Sequence, residues 1–295
     1  MIRRREFFAV AAALPAGALR AFATRPVPAR KTGKVETVFK SPGPKPNGLQ
    51  ATPEGLWIID QGDNRAYLVS YNDGKVLRGL DTEADKASGI TFNGNAIWIA
   101  STYSREIIQS QAMTGKTMAK YFTPGAGVIY RMVGDPPNRT SPLASTPAGA
   151  QRPEPVQNQS PASGQGQTVG GFQQGQVLGS RALGTGAHGL EWRDGKLWVA
   201  VPPSRTIYRL NPEDWVVELK FPTVGNRPHG IGWEGKWLWC TDSNLNAFFK
   251  HNPETGEVVE KIQLGDSDPL PHGMTIWQGT MWYCDDVGVV CRLKL

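Results

Sequence analysis

The chain has little of several things. Three cysteines in 295 residues, with no Cys-x-x-Cys pair, leave no metal ribbon and no disulfide framework. Four histidines are too few for a His-rich metal tract. No apolar run is long enough to cross a bilayer; the longest, Phe7 to Leu19, is followed at once by polar and small residues. No Gly-rich phosphate loop and no nucleophile elbow interrupt the sequence. Half of the formal charge of +6 lies in the first 23 residues, where Arg3, Arg4, Arg5 and Arg20 face only Glu6. Beyond them no Lys/Arg run remains to track a phosphate backbone, so nucleic-acid binding and membrane insertion are both excluded from the expectation.

The N-terminus itself reads as an export signal. Arg4-Arg5-Glu6-Phe7-Phe8 has the twin-arginine form, a moderately apolar stretch follows, and Ala21-Phe22-Ala23 is a small-x-small cleavage site. Residues 1–23 are therefore expected to be a signal peptide, 24–33 a linker, and the address periplasmic or secreted.

Abundance lies elsewhere, in 34 glycines and ten tryptophans. Five times a polar residue is followed by Gly and an aliphatic or Met, with a Trp ten residues after the first. The starters are Asn47, Ser88, His188, His229 and His272, and the tryptophans are Trp57, Trp98, Trp198, Trp239 and Trp282. A period near forty, with short strand-like runs and Asn-Gly, Asp-Gly and Asn-Pro-Glu-Thr-Gly turns, marks a propeller of four-stranded antiparallel blades. The tryptophans read as packing in the wedges between blades. The last unit stops after its third strand, and a spare strand precedes the first, over Lys34 to Lys40. Pairing the two would complete the last blade and remove an open edge.

One interval, Ser88 to His188, is too long for a single unit. Its stretch from Gly134 to Gly171 holds seven prolines and no aromatic residue, a composition that cannot offset ordering entropy by burial. This is read as a low-complexity loop at about 134–175, inserted in a degenerate unit that starts at Ala126-Gly127-Val128, has an inner strand over Val128 to Val133 and returns over Gln176 to Leu183. The expectation is an all-β, six-bladed propeller over 34–295, with five blades as the alternative. Cys284 and Cys291 would stand opposite each other if Val287-Gly288 were a two-residue loop. Two small buried thiols are preferred to a bridge there, because directly opposed cysteines have poor disulfide geometry.

In a blade the first strand begins beside the end of the second. Each starter therefore neighbours the residue thirteen positions on, which sets Asn47 with Asp60, His229 with Asp242 and His272 with Asp285. These groups are expected around one mouth of the axial channel. Three imidazoles there, His188, His229 and His272, would suit a divalent metal such as Zn, Mg or Ca. His272, Asp242 and Asp285 are the candidates for acid–base work, and Asn47, Asp60, Arg227 and Tyr103 for holding substrate. A structural reading competes. A His before Gly can bond its own loop, and an Asp after a Trp strand can cap a turn. His251 reads as an exposed bystander.

The unit Pro-His-Gly-Ile followed by Leu-Trp-x-x-Asp, with a later Asn-Pro-Glu-Thr-Gly, resembles the repeats of the streptogramin B (virginiamycin B) lyases and the wider set of NHL-type propellers. The resemblance implies a divalent metal at the channel mouth and His and Glu side chains that open a cyclic depsipeptide ester by elimination. His229 and His272 match such histidines by repeat position; Asp285 stands where a Glu is usual, and Leu270-Pro271 brings no acid ahead of His272. The six-bladed peptidyl-hydroxyglycine lyase domain holds zinc with three histidines from different blades, which His188, His229 and His272 resemble. The expected function is a monomeric lyase or hydrolase on a small ester, lactone or peptide-like substrate. The alternative is a non-catalytic propeller that binds a ligand or protein in the periplasm.

Overall fold

A computed structural model describes residues 26–144 and 184–295. The signal at 1–23, most of the low-complexity loop and the returning strand expected over 176–183 lie outside the described residues. Among the described residues, twenty strands and no helix form five four-stranded antiparallel sheets. Blade 1 is β2 (Pro46–Thr52), β3 (Gly55–Asp60), β4 (Arg65–Val69) and β5 (Val76–Asp81). Blade 2 is β6 (Ala87–Phe92), β7 (Ala96–Ser101), β8 (Glu106–Gln111) and β9 (Thr117–Phe122). Blade 3 is β10 (Gly189–Arg193), β11 (Lys196–Val201), β12 (Thr206–Leu210) and β13 (Val217–Pro222). Blade 4 is β14 (Pro228–Glu234), β15 (Trp237–Asp242), β16 (Ala247–His251) and β17 (Val258–Gln263). Blade 5 is β18 (Met274–Trp277), β19 (Thr280–Asp285) and β20 (Val289–Lys294), completed by β1 (Glu36–Lys40) from the far end of the chain. That last pairing is antiparallel, with Glu36 opposite Arg292 and an ion pair of 2.9 Å between them. The ring is closed by the spare strand, as its sequence position required.

The ring has five blades, not six. The reason is visible at the glycine after each starter. A Cβ on Gly48 would strike the Ser88 carbonyl, one on Gly89 would lie 2.9 Å from the Leu190 nitrogen, and one on Gly189 would strike the His229 carbonyl. Gly230 is closed in the same way by the Met274 nitrogen, and Gly273 by Gly48. Each inner strand therefore lies backbone to backbone on the next, and blade 2 meets blade 3 directly. No sixth blade fits between them. The stretch expected as a degenerate unit forms no strand over 128–133; Gly127 makes a single bridge to Thr185, with N–H···O bonds of 3.0 and 2.7 Å.

Five apolar clusters fill the five wedges, and each contains one repeat tryptophan. Trp57 packs with Ile90, Ile97 and Ile99 of blade 2; Trp98 with Leu190 and Val199 of blade 3. Trp198 meets Ile231 and Leu238, Trp239 meets Met274 and Met281, and Trp282 returns to Leu49 and Ile58 of blade 1. A wide ring on the middle of the second strand spans the gap that a small residue on the inner strand leaves at the axis.

Two local expectations change. The β19–β20 turn is one residue longer than a two-residue loop, because Asp285 pairs with Val289. Cys284 is then opposite Val290 and Cys291 opposite Tyr283, so the two thiols point to opposite faces of the pair and into different clusters. All three cysteines are buried and free. His251 is no bystander on the surface. It is fully buried at the end of β16, its Nδ1 is 3.1 Å from the Gly256 carbonyl, and its ring lies 5.4 Å from that of Phe221, because the Asn252–Gly256 turn folds back over it.

The close approach at the axis makes a direct stability test. Gly230→Ala is expected to lower the unfolding free energy by about 3 kcal/mol, the upper end for overpacking. Gly33→Ala, where nothing lies within 4 Å of a new Cβ, should leave it unchanged in the same denaturant titration.

Candidate active site at the channel mouth

The five starters form the first layer of the axial channel. Ser88 donates to the Asn47 side-chain oxygen at 2.6 Å and to the His188 carbonyl at 3.3 Å. Nδ1 of His188 lies 3.1 Å from Nε2 of His229. The His188 and His229 rings are 4.7 Å apart and nearly perpendicular, and His229 stands in the same relation to His272 at 4.7 Å. Half of the mouth is thus amide and hydroxyl, and the other half is a chain of three imidazoles.

The proton positions follow from the acceptors around them. Nδ1 of His229 faces the Arg227 carbonyl at 3.1 Å and Ser243 Oγ at 3.2 Å, while Ser243 gives its own proton to the Pro271 carbonyl at 2.6 Å. His229 therefore carries its proton on Nδ1 and accepts from His188 on Nε2. Burial holds the His229 pKa well below the ordinary value, and the neighbouring His188, His272 and Arg227 lower it further. His272 is pushed down to about 4 by burial, against the pull of Asp286. Both rings are neutral at physiological pH. Nδ1 of His272 faces the Leu270 carbonyl at 3.4 Å, and Nε2 meets a guanidinium nitrogen of Arg227 at 3.2 Å and Asp286 Oδ2 at 3.6 Å.

The acids divide into two kinds. Asp60 accepts from the backbone of Lys45 at 2.6 Å, Gly62 at 2.7 Å and Asp63 at 3.1 Å. Asp242 accepts from Arg227 N at 2.9 Å and Leu245 N at 3.0 Å. Ser101 does the same for Asp85 N at 2.8 Å. At this repeat position the side chain ties the loop entering its own inner strand, and Asp60 and Asp242 spend one oxygen there and the other on the turn that follows their own strand. Asp285 keeps the tie, to Leu270 N at 2.7 Å, but both of its bonds fall on Oδ2, and its buried Oδ1 has no hydrogen-bond partner among the described residues. Burial raises its pKa to about 6, and the adjacent Asp286 adds to the rise. Asp285 is the acid of this set left with capacity for chemistry.

A divalent ion needs donor atoms that converge. Among the described residues the group with three such atoms all within 4.8 Å of one another is His272, Asp285 and Asp286, not the three histidines. One imidazole, the orphaned Asp285 oxygen and a second carboxylate fit a hard or borderline divalent cation. In the chain of imidazoles, Nε2 of His229 is already taken by Nδ1 of His188. Arg227, expected near substrate, lies at the nitrogen of His272 and brings a cation to the cluster. Asn47 lies in the polar half of the mouth. Tyr103 is half-buried in the β7–β8 turn, its backbone bonded to Asp85, and no hydrogen bond among the described residues joins it to the imidazoles.

Sequence reasoning missed the strap. Residues 126–144 leave blade 2 and cross the mouth over blades 3, 4 and 5. Asp135 takes both guanidinium nitrogens of Arg205, at 2.7 and 2.5 Å. Arg227 donates to the Arg139 carbonyl at 3.1 Å, Arg139 N to Asn244 at 3.1 Å, and Asn244 to Asn138 at 3.2 Å. Ser141, buried, donates to Asp285 Oδ2 at 2.6 Å. Ser141 lies in the Pro-rich stretch read as a loop, and no local signal marks it. Asp286 and Ser243 were also missed, although each directly follows an acid at the repeat position.

No protein-family model matches this sequence, and neither does any curated protein. Among solved structures, the chain is similar to a glutaminyl cyclase from Myxococcus xanthus, with a TM-score of 0.55 at 10% identity over 92% of this chain and 99% of that one. A streptogramin B lyase gives 0.46 at 15% identity over 89% and 97%. A virginiamycin B lyase from Staphylococcus aureus gives 0.44 at 19% identity over 85% and 66%. At these identities the likeness concerns the fold, and the propeller resemblance read in the repeats holds at that level.

The Ser141 hydroxyl favours the charged form of Asp285, so Ser141→Ala is expected to raise the Asp285 pKa above 6, as followed by carboxyl-carbon NMR. Because that pKa already exceeds the unfolded value, the carboxyl stabilises the fold most at low pH, and the contribution is lost as pH rises through about 6. Asp285→Asn should flatten this part of the stability profile.

Proposed function

We propose that the channel mouth is an acid–base active site that binds a divalent cation through His272 and Asp286, with Asp285 beside it as the base. It opens an ester, lactone or amide of a small peptide-like substrate by hydrolysis or elimination. The observation that carries the reading is the buried, unpartnered Asp285 oxygen beside a neutral imidazole and a second carboxylate. A carboxyl with a pKa near 6 is matched to taking a proton at physiological pH. Neutral His272 would offer its Nε2 lone pair to the ion, with Nδ1 on the Leu270 carbonyl. Arg227 would face charge that develops on the carbonyl oxygen, and Asn47 and Ser88 offer a polar wall to orient the substrate. A bound divalent ion would supply Lewis acidity. Asp60 and Asp242 take no part in this chemistry, because their oxygens hold loops. The protein would act as a monomer after twin-arginine export to the periplasm.

A second reading, a propeller that binds a ligand or protein without turnover, is favoured by the strap, whose Asp135 and Ser141 side chains and Arg139 carbonyl already occupy Arg205, Asp285 and Arg227 at the mouth.

Titration calorimetry of the purified protein with Zn²⁺, Mg²⁺ and Ca²⁺ separates the two. The active-site reading expects one equivalent bound, lost in His272→Ala and Asp286→Asn and kept in His188→Ala. Loss in His188→Ala as well would return the site to the three histidines. With metal loaded, Asp285→Asn should lower turnover of a responsive ester or cyclic depsipeptide by about 100-fold or more. No metal binding and no turnover across esters, lactones and peptide amides would leave the binding module standing.

A further inference from the structure

On the face away from the imidazoles, the turns of blades 3 and 4 enclose a cleft of about 450 Å³. That is the size range of small-molecule sites. Its walls come from the ends of β10 and β14, the starts of β11 and β15, and the Asn252–Glu254 turn. Three cation–indole pairs converge there. Arg193 lies 4.4 Å over the Trp233 ring, Arg209 5.7 Å over Trp198, and Lys236 5.1 Å over Trp237. Trp198 and Trp233 meet edge to face at 5.2 Å across the blade boundary. Lys196 adds a fourth cation.

The charges in this cleft are not balanced as they are elsewhere. Arg30 and Lys250, which also lie on indoles, are held by Glu234 and Glu260 in a part-buried network. In the cleft, the acid of Arg193 is Asp194, whose side chain is 87% exposed, and an exposed partner contributes little. Arg209 and Lys196 share the single carboxylate of Glu218, and the further partner of Arg209, Glu254, is itself largely exposed. Lys236 has no acid partner among the described residues. Cations in surplus over buried acids ask for an anionic ligand. Planar guanidinium groups stacked on indoles select a carboxylate in two-point contact and a flat apolar body.

We propose that this cleft is a second ligand site, separate from the channel mouth, for a small planar carboxylate. The carboxylate is held by Arg193 and Lys236, and the flat body lies against the half-buried indoles of Trp233 and Trp237. The proposal does not depend on any activity at the mouth.

Indole-3-acetate is a suitable probe, with acetate as the charge-only control and indole-3-ethanol as the control without charge. Binding is measured on the full chain by calorimetry and by ¹H–¹⁵N spectra of the indole N–H groups. Indole-3-acetate should bind and shift the Trp233 resonance. Arg193→Ala and Lys236→Ala should each weaken it at least about tenfold, and Asp286→Asn at the mouth should leave it unchanged. Both variants are checked by circular dichroism, and the exposed Lys236 keeps the test usable if Arg193→Ala does not fold. The proposal is overturned if indole-3-acetate does not bind, if acetate or the alcohol binds equally well, or if Asp286→Asn rather than Arg193→Ala removes binding.

Discussion

The structure depends on one close contact repeated five times, the backbone of each inner strand against the glycine of its neighbour. Gly48, Gly89, Gly189, Gly230 and Gly273 face the next strand where any side chain would collide. This contact fixes the bore of the channel, and the bore fixes how near the starters stand. With rings 4.7 Å apart, His229 is kept neutral by burial and by its imidazole and Arg227 neighbours, and His272 by burial. The tryptophans complete the same geometry from outside, since a ring that is tight at its axis must be filled at its wedges.

The repeat made much of the fold legible. Starter, glycine and tryptophan spacings located the strands, and a missing fourth strand at one end with a spare one at the other located the closure. The number of blades was misread because the long interval between Ser88 and His188 was counted as chain that must build structure. Physically, that interval is free to leave the ring, since Gly89 already touches Gly189 and Leu190. Chain length reports how much sequence lies between two units, not whether they touch.

The site was legible in position more than in role. The pairing of each starter with the residue thirteen later is correct as neighbourhood, yet the carboxylates of Asp60 and Asp242 face backbone N–H groups that no side-chain pattern reveals. Asp285 differs from them only because Ser141 arrives from the strap and Asp286 follows in the turn. Neither effect is local to the repeat. The cation–indole cleft was equally hidden, because Arg193, Arg209 and Lys236 sit at ordinary turn and strand positions and gain meaning only across a blade boundary.

The pairing of Glu36–Lys40 with Val289–Lys294 joins the two ends of a long chain, and such a contact carries one of the largest loop-closure costs the sequence can impose. The toroid therefore cannot be sealed on the ribosome before β20 emerges. Four blades can assemble in order during synthesis, but the seam waits for β20, and until then β1 is left without its partner and open to any passing strand. A molecule built this way has its point of greatest vulnerability at birth, at the seam rather than at the hub.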